Sequence, residues 1–147
     1  MRYGLILTTS CLFALTTALL GQNALYWPDP TWHAPENVSA KPNPLAEKSW
    51  ATAGGKKLFR RNCAECHNEN GNGLVKKHSA DLQLAVVQQQ SDGALFWKIT
   101  NGNTGRGMPS FSKLPELERW QLVLFLRTLR AVTQPSQGST AGPSGRP

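Results

Sequence analysis

The stretch "RRNCAECHNENG", residues 60–71, sets two of the chain's three cysteines and one of its three histidines within five positions. Three familiar chemistries use such a cluster. A redox or disulfide Cys-x-x-Cys site could be formed by Cys63 and Cys66, but those sites accompany βαβ patterns. No segment of this chain alternates polar and apolar residues with the period of two that a strand requires. A zinc site needs four ligands, or three and a water. Cys63, Cys66 and His67 with His33 or His78 would supply them, although a histidine directly after the second cysteine is awkward for a single metal.

The third chemistry fits the spacing best. Cysteines at i and i+3 can reach the two vinyl groups of a haem from one side and hold it by thioether bonds. The next residue, His67, then offers its imidazole to the iron on that side. Cys-x-x-Cys-His is the attachment pattern of c-type haem. Haem c, one per chain, is therefore the expected cofactor, bound through Cys63, Cys66 and His67.

The compartment expected for this chain agrees. Met1-Arg2 is a short positive start, and Leu5 to Leu20 is an uncharged, largely apolar run of 16 residues. That is short for a spanning helix and reads as a secretory signal peptide over residues 1–24, with an uncleaved anchor as the alternative. Cys11 lies inside the run and leaves with it. The exported chain then keeps Cys63 and Cys66 alone, in an oxidising compartment such as the periplasm.

Composition narrows the rest. Of 147 residues, 39% are apolar and 17% charged, which excludes a membrane-embedded or wholly disordered chain. Lys and Arg outnumber Asp and Glu by 16 to 9, for a net charge of +7, or +6 once Arg2 is removed. The basic residues fall in scattered pairs, Lys56-Lys57, Arg60-Arg61 and Lys76-Lys77, without the dense stripe of a nucleic-acid binder. The excess instead favours protein partners with acidic docking surfaces.

Five of the ten prolines lie in residues 25–48, which reads as an extended, irregular lead-in whose Trp27 and Trp32 can dock on a surface. Residues 133–147, "TQPSQGSTAGPSGRP", have the composition of a disordered tail. Between them, residues 49–132 form the expected domain. It is small for a hydrophobic core alone, so a crosslinked cofactor would assist its folding.

Three helices are expected there. The first covers about Ser49 to Ala64, with Gly55, Phe59 and Cys63 on one face. The second covers Asp92 to about Thr100, with Ser91 or Asp92 as N-cap and Asn101-Gly102 as its stop. The third covers Pro115 to about Arg130, with Pro115 at the first helical position and an apolar middle, "WQLVLFLRTL", buried on more than one side. A shorter turn of helix is expected within 81–90. The fold class is all-α.

A haem iron held by His67 takes a sixth ligand or keeps an open face. Methionine is one established sixth ligand, and Met108 is the single methionine besides Met1. It sits in "NGNTGRGMPSF", a glycine-rich loop between the second and third helices. Pro109 restricts its backbone to extended conformations. Met108 is the expected distal ligand, while His33 and His78 read as ordinary surface histidines.

Residues Gly54 to Leu129 resemble a class I cytochrome c, of the single-haem kind found in bacterial periplasmic electron-transfer chains. The resemblance rests on "GGKKLFRRNCAECHNENGNG", "SADL", "LFWKITNGNTGRGMPSF" and "ERWQLVLFLRTL", about half of the chain. It implies a small cytochrome c fold of three to five helices around one covalently attached haem. The first and last helices would cross at right angles through Gly55, Phe59 and Phe125. It implies thioether attachment at Cys63 and Cys66, with His67 and Met108 as the iron ligands. Relatives often carry glycine where this chain has Asn68, and prolines where it has "HSADL". Trp97, Trp120 and Arg106 are further candidates to pack on the haem or face its propionates. The implied function is one-electron transfer between a dehydrogenase and a terminal oxidase, with no enzymatic bond chemistry. Two alternatives stay open: a haem protein with a free iron face that binds ligands or catalyses, and a Cys-x-x-Cys zinc or redox module.

Overall fold

A computed structural model describes residues 29–130. The expected signal peptide and the expected tail lie outside the described residues, as does Trp27.

Six α-segments follow one another: α1 Glu36–Ser39, α2 Ser49–Asn62, α3 Ala64–His67, α4 Ala85–Gln88, α5 Asp92–Asn101 and α6 Glu116–Thr128. Three are helices of ten or more residues and three are single turns of four. Among the described residues there is no strand, only an isolated antiparallel bridge between Asn103 and Met108. The architecture is all-α, the class that the cytochrome c resemblance implies.

The framework is the crossing of α2 and α6, the most extensive contact between elements. Glycine in mid-helix costs roughly 1 kcal/mol relative to alanine, so the Gly54-Gly55 pair needs a reason. A Cβ at Gly55 would lie 2.0 Å from the Gln121 carbonyl oxygen and 3.0 Å from Phe125 Cβ. The two backbones meet there, and only hydrogen fits between them. One turn along, Phe59 and Phe125 pack with ring centroids 5.1 Å apart and planes tilted by 54°. The residues implicated in the crossing by resemblance meet as expected.

Helix α6 buries Trp120, Leu122, Val123, Phe125 and Leu126, which is why its middle is apolar on several sides. Helix α5 contributes Leu95 and Ile99 to the same core. Its start is capped by Ser91, whose Oγ accepts from the Ala94 amide at 3.1 Å. Arg127 ties α6 to the start of α5. It donates to Asp92 Oδ1 from Nε at 2.8 Å and from one terminal nitrogen at 2.6 Å, and to the Gln88 and Gln90 carbonyls.

Two boundaries differ from expectation. The first helix does not run unbroken to Ala64: Cys63, at φ −122°, ends α2 and precedes the turn α3. Pro115, at ψ 147°, is the N-cap of α6 and not its first helical residue. Among the described residues no helix is long and apolar enough to cross a membrane.

Residues 29–48 are packed against the domain. Asn43 is buried; its Nδ2 donates to the Trp120 carbonyl and its Oδ1 accepts from the Leu45 amide. Leu45 joins the core. At Gly93 a Cβ would meet the Val38 carbonyl oxygen at 2.1 Å, so α1 rests directly on α5.

Candidate functional site

The break at Cys63 sets up the site. Where α2 ends, the chain makes the single turn α3, and the Cys66 and His67 amides both donate to the Cys63 carbonyl. Cys63, Cys66 and His67 thereby come to line one cavity of about 490 Å³. Its walls are largely apolar, with Phe59, Leu82, Leu95, Ile99 and Leu126 among them. Met108 lines the same cavity from the loop between α5 and α6, so all four predicted site residues are brought together.

His67 is oriented by a specific contact. Its Nδ1 lies 3.0 Å from the Ala80 carbonyl oxygen. A carbonyl can only accept, so Nδ1 carries the proton and Nε2 keeps its lone pair. A histidine ready to bind a metal shows this arrangement. Burial lowers the imidazole's pKa, partly offset by the Ala80 contact, and so favours the neutral, ligating form.

The loop that provides Ala80 is itself tied to the site. The Gly73 amide donates to the His67 carbonyl, the Leu82 amide to the Gly71 carbonyl, and Ser79 Oγ to the Cys66 carbonyl. Asn68 adopts φ 63° and ψ 160°, a region otherwise used by glycine. Its Oδ1 accepts from the Glu69 amide and its Nδ2 donates to Asn72 Oδ1, which helps hold the strained residue. This departure from the relatives' glycine therefore leaves the turn intact. In place of the relatives' prolines, the "HSADL" segment offers Ser79 and Ala80 as hydrogen-bond partners.

Elsewhere in the lining, Met108 is held by the bridge to Asn103. The Asn103 amide donates to the Met108 carbonyl at 2.9 Å, and the Met108 amide to the Asn103 carbonyl at 3.0 Å. Gly102 makes the bend with φ 66°, where a Cβ would strike the Pro109 carbonyl at 2.4 Å.

Cys63 and Cys66 are both free thiols and half-buried. Burial, reinforced by the neighbouring Cys66, pushes the Cys63 thiol up to about 12. Redox-active cysteines carry the opposite shift, toward thiolate at neutral pH. A zinc site also lacks its ligands: among the described residues no three of His, Cys, Asp or Glu cluster closely enough to hold a metal. What the cavity offers is an apolar lining with two thiols, an oriented imidazole and a thioether among it. That donor set suits haem c.

Other expectations fare differently. Arg106 lines the cavity, but Trp97 and Trp120 do not. Trp120 stacks on Phe96, with centroids 4.0 Å apart, and its indole N–H donates to Glu116 at 3.3 Å. It is a core residue behind α5. His33 is exposed and away from the cavity, whereas the exposed His78 lies on its rim. Trp32 and Lys98 also line the cavity. Trp32 comes from the proline-rich lead-in, where no periodicity tells which surface it covers.

Comparison with known proteins agrees with this geometry. The family described as cytochrome c oxidase, cbb3-type, subunit III matches residues 50–126. Cytochrome c6 from Chlorolobion braunii is 40% identical over 53 residues, covering 33% of this chain and 57% of that protein. The chain thus spans little more than half the length of that relative. With the family pattern matching over half of its residues, the chain belongs to the cbb3-type subunit III family of c-type cytochromes and carries covalently attached haem c.

Proposed function

We propose that this chain is an exported one-electron carrier whose haem is attached through Cys63 and Cys66 and ligated by His67 and Met108. The observation that carries the reading is the convergence of these four side chains on one apolar cavity. When bound, the haem supplies a one-electron Fe(III)/Fe(II) couple.

The protein's own residues set the conditions for that couple. The Ala80 carbonyl holds the His67 ring and raises its basicity as a ligand. A thioether from Met108 and the aliphatic walls favour the less charged, reduced state and raise the potential. The two thioether links tie α3 to the cofactor and so crosslink a small domain. Lys77 and Arg106, about two-fifths exposed, sit on the cavity rim. With the net positive charge they favour transient docking on an acidic partner, weakened by salt. A periplasmic dehydrogenase as donor and a terminal oxidase as acceptor fit such a carrier. It catalyses no bond chemistry of its own.

The test is an optical spectrum of the haem-loaded protein, oxidised and reduced. A sulfur-to-iron band in the oxidised form, lost in Met108→Ala, is the expected result. Retained haem without that band would move the function to ligand binding or catalysis at a free iron face. An exported protein with no attached haem would overturn the assignment of the cysteines.

A further inference from the structure

The segment ahead of residue 50 lies outside the family-matched region, yet two of its side chains reach the Met108 loop. Asp29 is 19% exposed, and both of its carboxylate oxygens are engaged. Oδ1 accepts from the Thr31 amide at 2.9 Å and from Thr31 Oγ1 at 2.8 Å. Oδ2 accepts from Asn103 Nδ2 at 3.0 Å and lies 3.7 Å from Arg106 Nε. Asn103 is the residue whose backbone pairs in both directions with Met108. Three residues on, the Trp32 indole N–H donates to the Gly102 carbonyl at 3.0 Å, at the bend that starts the same loop. Lys98 Nζ sits 4.5 Å from the centre of the Trp32 ring and fixes its face.

We propose that Asp29 is a positioning residue for the haem site, holding Met108 over the cavity through Asn103, with Trp32 clamping the neighbouring bend. Residues 29–48 are on this account a working strap of the cofactor pocket. The proposal rests on Met108 as the distal ligand. Its physical basis is preorganisation: a loop already held in its bound conformation loses less freedom when its sulfur binds, so the bond is tighter. The strap itself is anchored far from the loop, by buried Asn43 on the Trp120 carbonyl and by Leu45 in the core, so it can act as a fixed point. Hydrogen bonds from the Thr31 side chain and backbone, then from Asn103, with the Arg106 charge adding less, lower the Asp29 carboxyl to about 2 and keep it ionised.

The experiment compares the full-length haem-loaded protein with Asp29→Asn, with Trp32→Phe, and with the exchange D29N/N103D, which reverses donor and acceptor. Haem retention under denaturing conditions and the far-UV circular dichroism establish that each variant is intact. The readouts are the oxidised sulfur-to-iron band and the rate at which carbon monoxide binds the reduced protein. A charge-assisted hydrogen bond is strong enough that its loss should raise that rate about tenfold. Asp29→Asn and Trp32→Phe are each expected to bind carbon monoxide faster and to lose the sulfur band at lower temperature, and the exchange to restore most of the difference. A wild-type sulfur band with unchanged variants would overturn the strap's role and leave Met108 ligation standing. A wild-type protein without the band would overturn both.

Discussion

Substituting Gly55 by alanine tests the crossing on which the whole site is built. The added Cβ would lie 2.0 Å from the Gln121 carbonyl oxygen and 2.7 Å from its carbon, where real Cβ contacts stay beyond 3.0 Å. Both colliding groups are backbone, so relief requires α2 and α6 to separate by about 1 Å. Overpacking of this kind costs ~1–3 kcal/mol, and a backbone collision belongs at the upper end. Separation also loosens the Phe59–Phe125 pair, itself worth ~0.5–1.5 kcal/mol beyond its buried area. Against this, alanine's helix propensity returns ~1 kcal/mol. The net expectation is a loss of about 2–3 kcal/mol, a fall in Tm of roughly 10–20 °C for a domain of this size.

Gly54→Ala is the internal control. There the Cβ would meet the Gln121 side-chain amide, with Oε1 at 2.5 Å, and that side chain can swing away. The same propensity gain should leave Gly54→Ala neutral or up to ~1 kcal/mol more stable. Urea titrations of the haem-loaded proteins, followed by far-UV circular dichroism, measure both. Equal stabilities for the two alanine variants would refute the claim that backbone contact at residue 55 sets the crossing.

Arg127→Ala removes the contacts that tie α6 to the start of α5 and leaves the Gln88 and Gln90 carbonyls without that partner. A loss of about 2–4 kcal/mol is expected in the same urea assay, with Asp92→Asn costing less because the carbonyl contacts survive. Ser91→Ala should cost about 1 kcal/mol through the lost cap on the Ala94 amide, and Ser91→Asp should restore it. Because the Asp29 carboxyl is lowered in the folded state, its contribution is complete above the unfolded value near 3.9 and disappears as pH falls through about 2. The charged groups facing it are Arg106 and Lys98. Acid titration of the sulfur-to-iron band should show a loosening between those pH values in the wild type that is absent from Asp29→Asn.

The parts of this fold readable from the chain are those in which chemistry or periodicity leaves a mark. Gly55, Phe59 and Cys63 recur at helical spacing, and Cys63, Cys66 and His67 carry their chemistry in the order of the residues. Met108 stands out through composition, as the one methionine besides Met1. The exact end of the first helix was not readable: residues 62–64 are compatible with continuing it, and only the turn that presents Cys66 and His67 requires the break. Trp97 and Trp120 misled because an aromatic on a helix near a haem motif does not reveal its azimuth. Trp120 stacks on Phe96, whose ring centre also lies 4.7 Å from the Arg119 guanidinium, so it serves the α5–α6 packing. The strap was least legible of all. Its prolines suggest irregular chain, although the segment also forms the turn α1, and irregular chain has no face to tell that Asp29 and Trp32 reach a loop seventy positions away.

That separation has a kinetic consequence. The contacts of the strap join residues 70 to 77 positions apart: Trp32 to Gly102, Asp29 to Asn103 and Asn43 to Trp120. Closing so long a loop costs entropy that only an already formed α5 and α6 can offset. The α2–α6 crossing closes a loop of comparable length, Gly55 to Gln121, but gains an extensive apolar contact for it. The strap, held by a few hydrogen bonds, is therefore expected to wrap last. Substitutions at Asp29 or Asn43 should accordingly speed unfolding while leaving the folding rate nearly unchanged, a pattern that stopped-flow kinetics can separate from damage to the α2–α6 nucleus.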